Sequence, residues 1–266
     1  MLDIEFAQLS DAGLVREHNE DRLGYVLPET PEEARTHGWL FALADGVGGQ
    51  DRGEVASSLA VEHLLSGFRK ASRGESLTAL LPRLVQAANM QVYETGQATG
   101  PGGSSMATTL VACALRYDRA IVSHVGDSRC YLLRQGYAVS LTRDHTVSNE
   151  QLRLGILSAR EAMVAGTAHI LSRSLGHDLF ISVETSEHQI FAGDVLILCS
   201  DGLHHSVCAQ DMTQVGEPGA DLAAVAHDLV ALAKQRDGSD NISVQLIRVR
   251  DVERVGMYRG RHYKIR

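Results

Sequence analysis

The first hundred residues of the chain change from strand-like to helical patterning. Three segments have the apolar patterns of strands: 3–9, 22–27 and 39–44. A polar, proline-containing insert occupies 28–38. Over 53–71 and again over 76–97, apolar residues recur at helical spacing, and the alanines and leucines there are strong helix formers. This half therefore predicts three strands followed by two consecutive helices.

The second half returns to strands after a glycine-rich break at 99–105. Short β-branched segments separated by turn residues predict an antiparallel meander over 106–115, 119–126, 129–136 and 137–142. Gln135 and Gly136 form the expected hairpin turn. Residues 143–178 lose the strand rhythm and predict a partly helical flap beside a site. The remaining predicted elements are strands at 180–190, 194–199 and 241–249 and a helix at 219–235.

Strands and helices are thus grouped in the sequence, which favours antiparallel sheets covered by helices over a regular βαβ fold. The length of 266 residues is enough for one large domain with its own core. Because there is neither an internal repeat nor a linker, we predict a single domain over 1–250 and a basic C-terminal tail over 251–266. The tail is expected to be solvated, although it could dock an acidic partner or a phosphate group.

Composition excludes several classes of function. Apolar residues make up 44% of the chain, but none of the apolar runs approaches the ~18 residues of a membrane span. A net charge of -8 argues against a nucleic-acid partner. The N-terminus is acidic where a signal peptide would be basic, so we expect a cytoplasmic protein. The four cysteines, which lack the spacing of a zinc site, are expected to be buried reduced thiols.

Five aspartates suggest the chemistry. Three of them directly follow segments that predict buried strands, so their carboxylates should emerge at strand ends beside a cleft. No lysine close in sequence neutralises them, and carboxylates of this kind invite hard cations. The five are Asp21, Asp45, Asp127, Asp201 and Asp240.

Eight short motifs occur in an order and at separations that resemble the metal-dependent protein serine/threonine phosphatases of type 2C, and those of bacterial type in particular. The motifs are "VREHNEDR", "ADGVGG", "MATTLV", "VGDSR", "LTRDHT", "LSRSLG", "GDVLILCSDGL" and "DNISV". Each is weak alone, but together they span about residues 6–249. The resemblance implies an α+β fold, a four-layer αββα sandwich of two antiparallel sheets flanked by helices.

The resemblance also implies a centre of two Mn²⁺ or Mg²⁺ ions, with a third ion in bacterial relatives. The implied roles are a carboxylate bridge for Asp45, a carbonyl ligand for Gly46, the first ion for Asp201 and Asp240, the second ion for Glu20, and orientation of metal-bound water for Asp21. Two interpretations of Asp127 remain open. It would either share a third ion with Asp201 or act as a turn aspartate that caps backbone amides or pairs with Arg129.

The expected reaction needs no phosphoenzyme. Two divalent ions about 3.5 to 4 Å apart lower the pKa of a bridging water toward neutrality, and the resulting hydroxide attacks phosphorus directly. Arg16 is expected to hold the substrate phosphoryl group, since its planar fork matches two phosphate oxygens. The alternative for Arg16 is an exposed ion pair with Glu17 or Glu20. For Thr108 and Thr109, packing in a strand is favoured over a nucleophilic role.

Histidine is where the chain departs from part of that family. Many eukaryotic members carry a histidine, proposed as the general acid, at the position of Val47, and valine cannot donate a proton. The remaining imidazoles considered are His145, expected to make a structural hydrogen bond, and His204 and His205, expected at an exposed helix start or turn.

The expected partners are phosphorylated proteins and a cognate bacterial serine/threonine kinase, and the chain is expected to act as a monomer. The main alternative is a regulatory module that binds phosphoproteins in the same cleft without turnover. A metal-dependent phosphodiesterase or nuclease is a weaker alternative, because the net charge is acidic.

Overall fold

The computed structural model of the chain describes residues 1–47, 52–98, 106–217, 219–258 and 261–264. The glycine-rich break predicted at 99–105 and the last two glycines of the "ADGVGG" motif lie outside the described residues.

The described strands and helices follow the predicted order closely. The strands are β1 (Asp3–Asp11), β2 (Asp21–Val26), β3 (Trp39–Asp45), β4 (Leu110–Arg116), β5 (Arg119–Val125), β6 (Arg129–Arg134), β7 (Tyr137–Ser140), β8 (Glu184–Gln189), β9 (Val195–Cys199), β10 (Ile242–Asp251), β11 (Val255–Tyr258) and β12 (Arg261–Lys264). The helices are α1 (Pro31–Thr36), α2 (Gly53–Arg69), α3 (Leu77–Gln97), α4 (Val147–Arg153), α5 (Ala159–Val164), α6 (Asp201–His204) and α7 (Leu222–Arg236), with a 3₁₀ helix at Asp211–Gly216.

The strands form two five-stranded antiparallel sheets and a separate β11–β12 hairpin within the described residues. One sheet has the order β1-β10-β9-β6-β7, and the other has the order β2-β3-β4-β5-β8. Helices α2 and α3 pack on the second sheet, and α7 packs on the first. A third apolar cluster fills the space between the two sheets. This arrangement confirms the predicted αββα sandwich.

Strand β3 explains why the central strands are apolar throughout. Leu40, Ala42 and Ala44 pack toward α2 and α3, whereas Phe41 and Leu43 pack toward the opposite sheet. A strand that is covered on both faces loses the alternation of apolar and polar residues. The uninterrupted segment 39–44 therefore indicates a position inside the sandwich.

The predicted meander over 106–142 is wrong as a single sheet. The hairpin β4–β5 belongs to one sheet and the hairpin β6–β7 to the other, and the chain crosses between the sheets near Asp127. The hairpin turn at Gln135 and Gly136 is confirmed. Both residues have positive φ, as a two-residue turn that follows the twist of its strands requires.

Other differences are local. Helix α1 lies in the polar, proline-containing insert, for which no helix was predicted, and the Thr30 side chain accepts a hydrogen bond from the Glu33 amide. The predicted strand at 180–190 begins only at Glu184. Part of the predicted tail forms the β11–β12 hairpin.

The structure also bears on the predictions that the cysteines are buried thiols and that the chain lacks a membrane span. All four cysteines are free thiols; Cys113, Cys130 and Cys199 are buried as expected, but Cys208 is exposed. None of the described helices combines the length and the apolar character needed to cross a membrane.

Candidate active site

An open cavity of about 430 Å³ lies at the end of the sandwich where β3, β5 and β9 finish. We refer to it as the acidic cleft. Six of the predicted site residues line it: Arg16, Asp45, Gly46, Asp127, Asp201 and Asp240. Glu20 and Asp21 are not on its lining. The strand ends thus bring together carboxylates that are far apart in the sequence.

Asp45, the last residue of β3, is held by the "MATTLV" segment. Its amide donates to Thr109 Oγ1 at 3.0 Å, and its carbonyl accepts from the Thr109 amide and from Thr108 Oγ1, both at 2.8 Å. Thr109 Oγ1 also shares a hydrogen bond of 2.7 Å with Ser128 Oγ, beside Asp127. The two threonines are buried and orient Asp45, which agrees with the structural role favoured for them.

Asp21 lies beneath the cleft, paired with Asp45 across the β2–β3 ladder. Its Oδ2 accepts a hydrogen bond of 2.9 Å from Ser200 Oγ, the residue before Asp201. Its Oδ1 is buried and has no hydrogen-bond partner among the described residues. Burial raises the pKa of Asp21 to about 7, and the charges of Asp201 and Asp240 act in the same direction.

The other cleft aspartates repel one another in the same way. Burial raises the pKa of Asp45 well above its usual range, and the neighbouring carboxylates add to this. Burial and then the charge of Asp201 raise the pKa of Asp127 to about 8. Burial also raises the pKa of Asp201. Without a compensating cation, these groups hold protons that an exposed aspartate would release.

The pairing with Arg129 that the turn interpretation of Asp127 allowed is not formed, although the Asp127 carboxylate does accept a hydrogen bond from its own backbone amide, as a turn aspartate would. The Arg129 guanidinium donates instead to both carboxylate oxygens of Asp144, at 2.8 and 2.6 Å, and to Tyr131 Oη. Arg129 lies on β6, a strand of the first sheet. The Asp127 carboxylate therefore faces the cleft without this ion pair.

Glu20 lies where the start of α2 approaches the end of β3. A Cβ on Gly53 would lie 2.9 Å from Glu20 Cδ, and a Cβ on Gly46 would lie 2.5 Å from the Gly53 carbonyl. Both contacts are closer than real Cβ atoms come; at Gly46 the obstacle is backbone, so glycine is required there, whereas a side chain at Gly53 would have to displace the Glu20 carboxylate. The Glu20 amide donates to Asn241 Oδ1 at 2.8 Å, which ties it to the residue after Asp240.

Arg16 lies at the rim and pairs with Asp240, rather than with Glu17 or Glu20 as its alternative role supposed. Its Nη2 donates to Asp240 Oδ2 at 3.0 Å, and the Arg16 side chain is 41% exposed. Hydrogen bonding to Asp240 raises the pKa of Arg16. The guanidinium therefore remains charged, with further donors available at the mouth of the cleft.

These residues fit Mn²⁺ or Mg²⁺. Buried carboxylates require a compensating charge, and hard divalent cations prefer carboxylate and carbonyl oxygens. The buried Asp21 Oδ1, which has no partner among the described atoms, is an acceptor of the kind that such a centre would satisfy. The predicted ligands supply oxygen donors only, which separates this set from a zinc or copper site.

His204 is buried, so its predicted exposure is wrong. Its Nε2 donates to the Asp127 carbonyl at 3.0 Å, and burial lowers its pKa to about 3. His205 is exposed, as predicted, with Nδ1 3.7 Å from Asp201 Oδ2. The neutral His204 ring thus supports the backbone beside the cleft.

Two further histidines of the flap were missed from the sequence. His169 and His177 line the acidic cleft, and the His169 ring meets the His205 ring edge-on at 4.7 Å. Neither belongs to a periodic segment or carried a sequence signal of its own. Their position follows from the fold of the flap, whose residue Leu175 pairs with Thr108 beside Asp45.

His145, with His124 and Glu184, forms a cluster whose ligand atoms lie within 4.8 Å of one another. It is a hydrogen-bonded support and a poor metal site. The two rings are stacked at 4.7 Å with planes only 12° apart, so their in-plane lone pairs do not converge. His145 Nδ1 accepts from the Gly126 amide, and Nε2 donates to Glu184 Oε2 at 3.2 Å. These contacts agree with the structural role predicted for His145.

Comparisons with known proteins give the same result as this geometry. Residues 17–239 match the sequence profile of the family described as Protein phosphatase 2C. The serine/threonine phosphatase stp of Listeria innocua is 33% identical over 257 residues, which cover 95% of this chain and 96% of the relative. The chain therefore belongs to the protein phosphatase 2C family.

Solved structures support the fold in detail. The crystal structure of the Mycobacterium tuberculosis serine/threonine phosphatase PstP/Ppp matches with a TM-score of 0.81 at 31% identity, covering 94% of this chain and 100% of that chain. A structure of the catalytic domain of PstP in complex with two manganese ions matches with a TM-score of 0.78 at 32% identity, covering 94% and 100%.

Proposed function

We propose that the chain is a protein phosphatase that hydrolyses phosphoserine and phosphothreonine with two divalent cations, Mn²⁺ or Mg²⁺, in the acidic cleft. Family membership and the named serine/threonine phosphatases among its relatives support this activity. The manganese complex of PstP supports the cation requirement. The observation that carries the proposal is the convergence of four aspartates and Arg16 on one cavity.

The roles proposed for the ligands are those that the family resemblance implies. Asp45 would bridge the two ions, with the Gly46 carbonyl beside it. Asp201 and Asp240 would complete the first ion's shell, and Glu20 the second's. Asp21, which lies beneath the cleft lining, would act through water, and its unpaired Oδ1 supports that role.

Asp127 is proposed as a ligand of a third ion shared with Asp201. Its carboxylate lines the cleft, and Arg129 donates to Asp144 and not to Asp127. Asp127 and Asp201 both line the cleft, and the charge of Asp201 helps to raise the pKa of Asp127, which supports this role.

When bound, the two cations supply the charge that activates a water and neutralises the phosphoryl oxygens. Arg16 would orient the phosphoryl group through the donors that Asp240 leaves available. Direct attack by water is favoured over a phosphoenzyme, since the Thr108 and Thr109 hydroxyls are engaged with Asp45 and Ser128. Val47 contributes no proton, so a water must protonate the leaving alkoxide unless a cleft histidine does so.

The whole chain is proposed to act as a cytoplasmic monomer that opposes a bacterial serine/threonine kinase. Residues 1–250 would form the catalytic domain, with the flap at 143–178, and 251–266 the basic tail. The family match over 17–239 lies inside the proposed domain. The acidic net charge supports protein substrates over nucleic acid.

The test is manganese-dependent hydrolysis of p-nitrophenyl phosphate and of a phosphothreonine peptide. Asp240→Asn and chelation should each abolish most turnover, whereas Asp228→Asn, on the exposed face of α7, should not. Unchanged turnover in Asp240→Asn or in chelator would refute the proposal. Metal-dependent peptide binding without product would instead favour the regulatory module.

A further inference from the structure

A second cavity continues from the acidic cleft along the flap. It has a volume of about 370 Å³ and shares Leu171, Ser174 and His177 with the cleft lining. Phe180 lines this second cavity but not the acidic cleft. We refer to this second cavity as the Phe180 groove. Because the two cavities share a wall, a polypeptide with one residue in the cleft can continue into the groove.

The backbone around Phe180 is anchored by two amide side chains of α3. The buried Asn89 donates to the carbonyls of Asp178 and Leu179, at 2.9 and 3.0 Å, and accepts from the Gly176 amide at 2.8 Å. Gln86 donates to the Leu179 carbonyl at 2.9 Å and accepts from the Ile181 amide at 3.2 Å. The chain is therefore held on both sides of Phe180.

The Phe180 side chain itself is left uncovered. It is 79% exposed, whereas the adjacent Ile181 packs against the core under α3. An aromatic ring in solvent gains from apolar contact, and a ring on an anchored backbone loses little entropy when it makes that contact. Such pre-organised aromatic residues are typical anchors of binding surfaces.

We propose that Phe180 is a specificity determinant, which binds an apolar side chain of the substrate polypeptide close in sequence to the phosphorylated residue. This inference rests on the proposed phosphatase function. The groove adjoins the cleft, so we expect the substrate to occupy it. An extended peptide advances about 3.3 Å per residue, and residues near the phosphorylated one would pass the shared lining residues and enter the groove. The cation on the lining, Arg173, is already paired with Glu150 at 3.0 Å, and His177 Nδ1 lies 3.2 Å from Asp178 Oδ2, so the Phe180 ring is the contact that the groove offers to an apolar neighbour.

The test uses phosphothreonine peptides in a serine and alanine background, with a single leucine placed at each position from four residues before to four residues after the phosphothreonine. At one or two positions, leucine should raise kcat/KM roughly 10-fold through KM, the size expected for one partly enclosed apolar contact. Phe180→Ala should remove this preference and leave p-nitrophenyl phosphate hydrolysis unchanged. Gln86→Ala, which loosens the backbone anchor, should reduce the preference.

Tyr137→Ala is the matched control, because Tyr137 is 77% exposed on β7 and does not line either cavity. It should keep the leucine preference. The inference is overturned if Phe180→Ala keeps the preference, if it lowers p-nitrophenyl phosphate hydrolysis equally, or if its only effect is to abolish self-association seen in light scattering. Wild-type protein without turnover of any substrate would refute the proposed function as well, and turnover without a leucine preference would refute this inference alone.

Discussion

Replacing Gly53 with alanine would test the role of Glu20 without substituting any proposed ligand. Gly53 begins α2, and a Cβ at this position would lie 2.9 Å from Glu20 Cδ and 3.0 and 3.1 Å from its two carboxylate oxygens. Ordinary contacts between carbon atoms are about 3.5–4.0 Å, so the Glu20 carboxylate must move by roughly 0.5–1 Å. The substitution therefore displaces the proposed ligand Glu20 through a contact with its carboxylate.

The displacement is large compared with what a metal site tolerates. Ligand distances are held within about 0.2 Å, and loss of a supporting group typically weakens metal affinity about 10- to 100-fold. That range corresponds to about 1.4–2.7 kcal/mol. Alanine is a better helix former than glycine by up to about 1 kcal/mol. We therefore expect Gly53→Ala to weaken one of two Mn²⁺ sites while the metal-free protein unfolds at the same or a higher temperature.

Isothermal titration with Mn²⁺ and thermal unfolding in chelator measure the two effects separately. Gly67→Ala is the control, because it makes the same change in the same helix but meets the movable end of Leu84 at 2.7 Å. Two Mn²⁺ ions bound to Gly53→Ala with wild-type affinity would show that Glu20 is not a ligand. A lower unfolding temperature of the metal-free variant would show that the clash is absorbed by α2 instead.

Three further predictions concern the cleft. Arg16→Ala should lower kcat/KM for p-nitrophenyl phosphate about 10- to 150-fold, which is the equivalent of about 1.5–3 kcal/mol for a hydrogen-bonded charge. Arg16→Lys should restore only part of this activity. Equal activity of Arg16→Ala and wild type in steady-state kinetics would refute the phosphate role. In chelator, the unfolding temperature should fall from about pH 6.5 to pH 8, because folded Asp21 and Asp127, with pKa values of about 7 and 8, keep protons that the unfolded chain has released above about pH 4. Below about pH 6.5 the buried histidines act in the opposite direction, since folded His204 and His145, with pKa values of about 3 and 4, stay neutral where the unfolded chain binds protons. Saturating Mn²⁺ should flatten the fall above about pH 6.5, and a rise with pH over that range in chelator would contradict it. His204→Phe should remove the hydrogen bond to the Asp127 carbonyl and weaken the third, lower-affinity Mn²⁺ site without affecting the first two, which a Mn²⁺ titration of the variant checks.

Much of the fold could be predicted from local patterns. Segment 39–44 indicates a strand buried on both faces, and the helical spacing over 53–71 and 76–97 matches α2 and α3 within two residues at each end. The pairing of hairpins with sheets could not be predicted. Both β4–β5 and β6–β7 have the pattern of one meander, and only the crossing near Asp127 assigns them to different sheets.

The same division holds for the candidate site. By itself, the sequence determined which residues could bind a cation, since carboxylates at strand ends are a local pattern and eight motifs in register carry the family resemblance. The tertiary structure decided what surrounds them, because those contacts join distant parts of the chain. Ser200 reaches Asp21 across 179 residues, and Arg16 reaches Asp240 across 224. His169, His177 and Phe180 come to the cleft and its groove only because the flap folds back beside Asp45 and α3, an arrangement set by long-range packing and hydrogen bonds that no local pattern encodes.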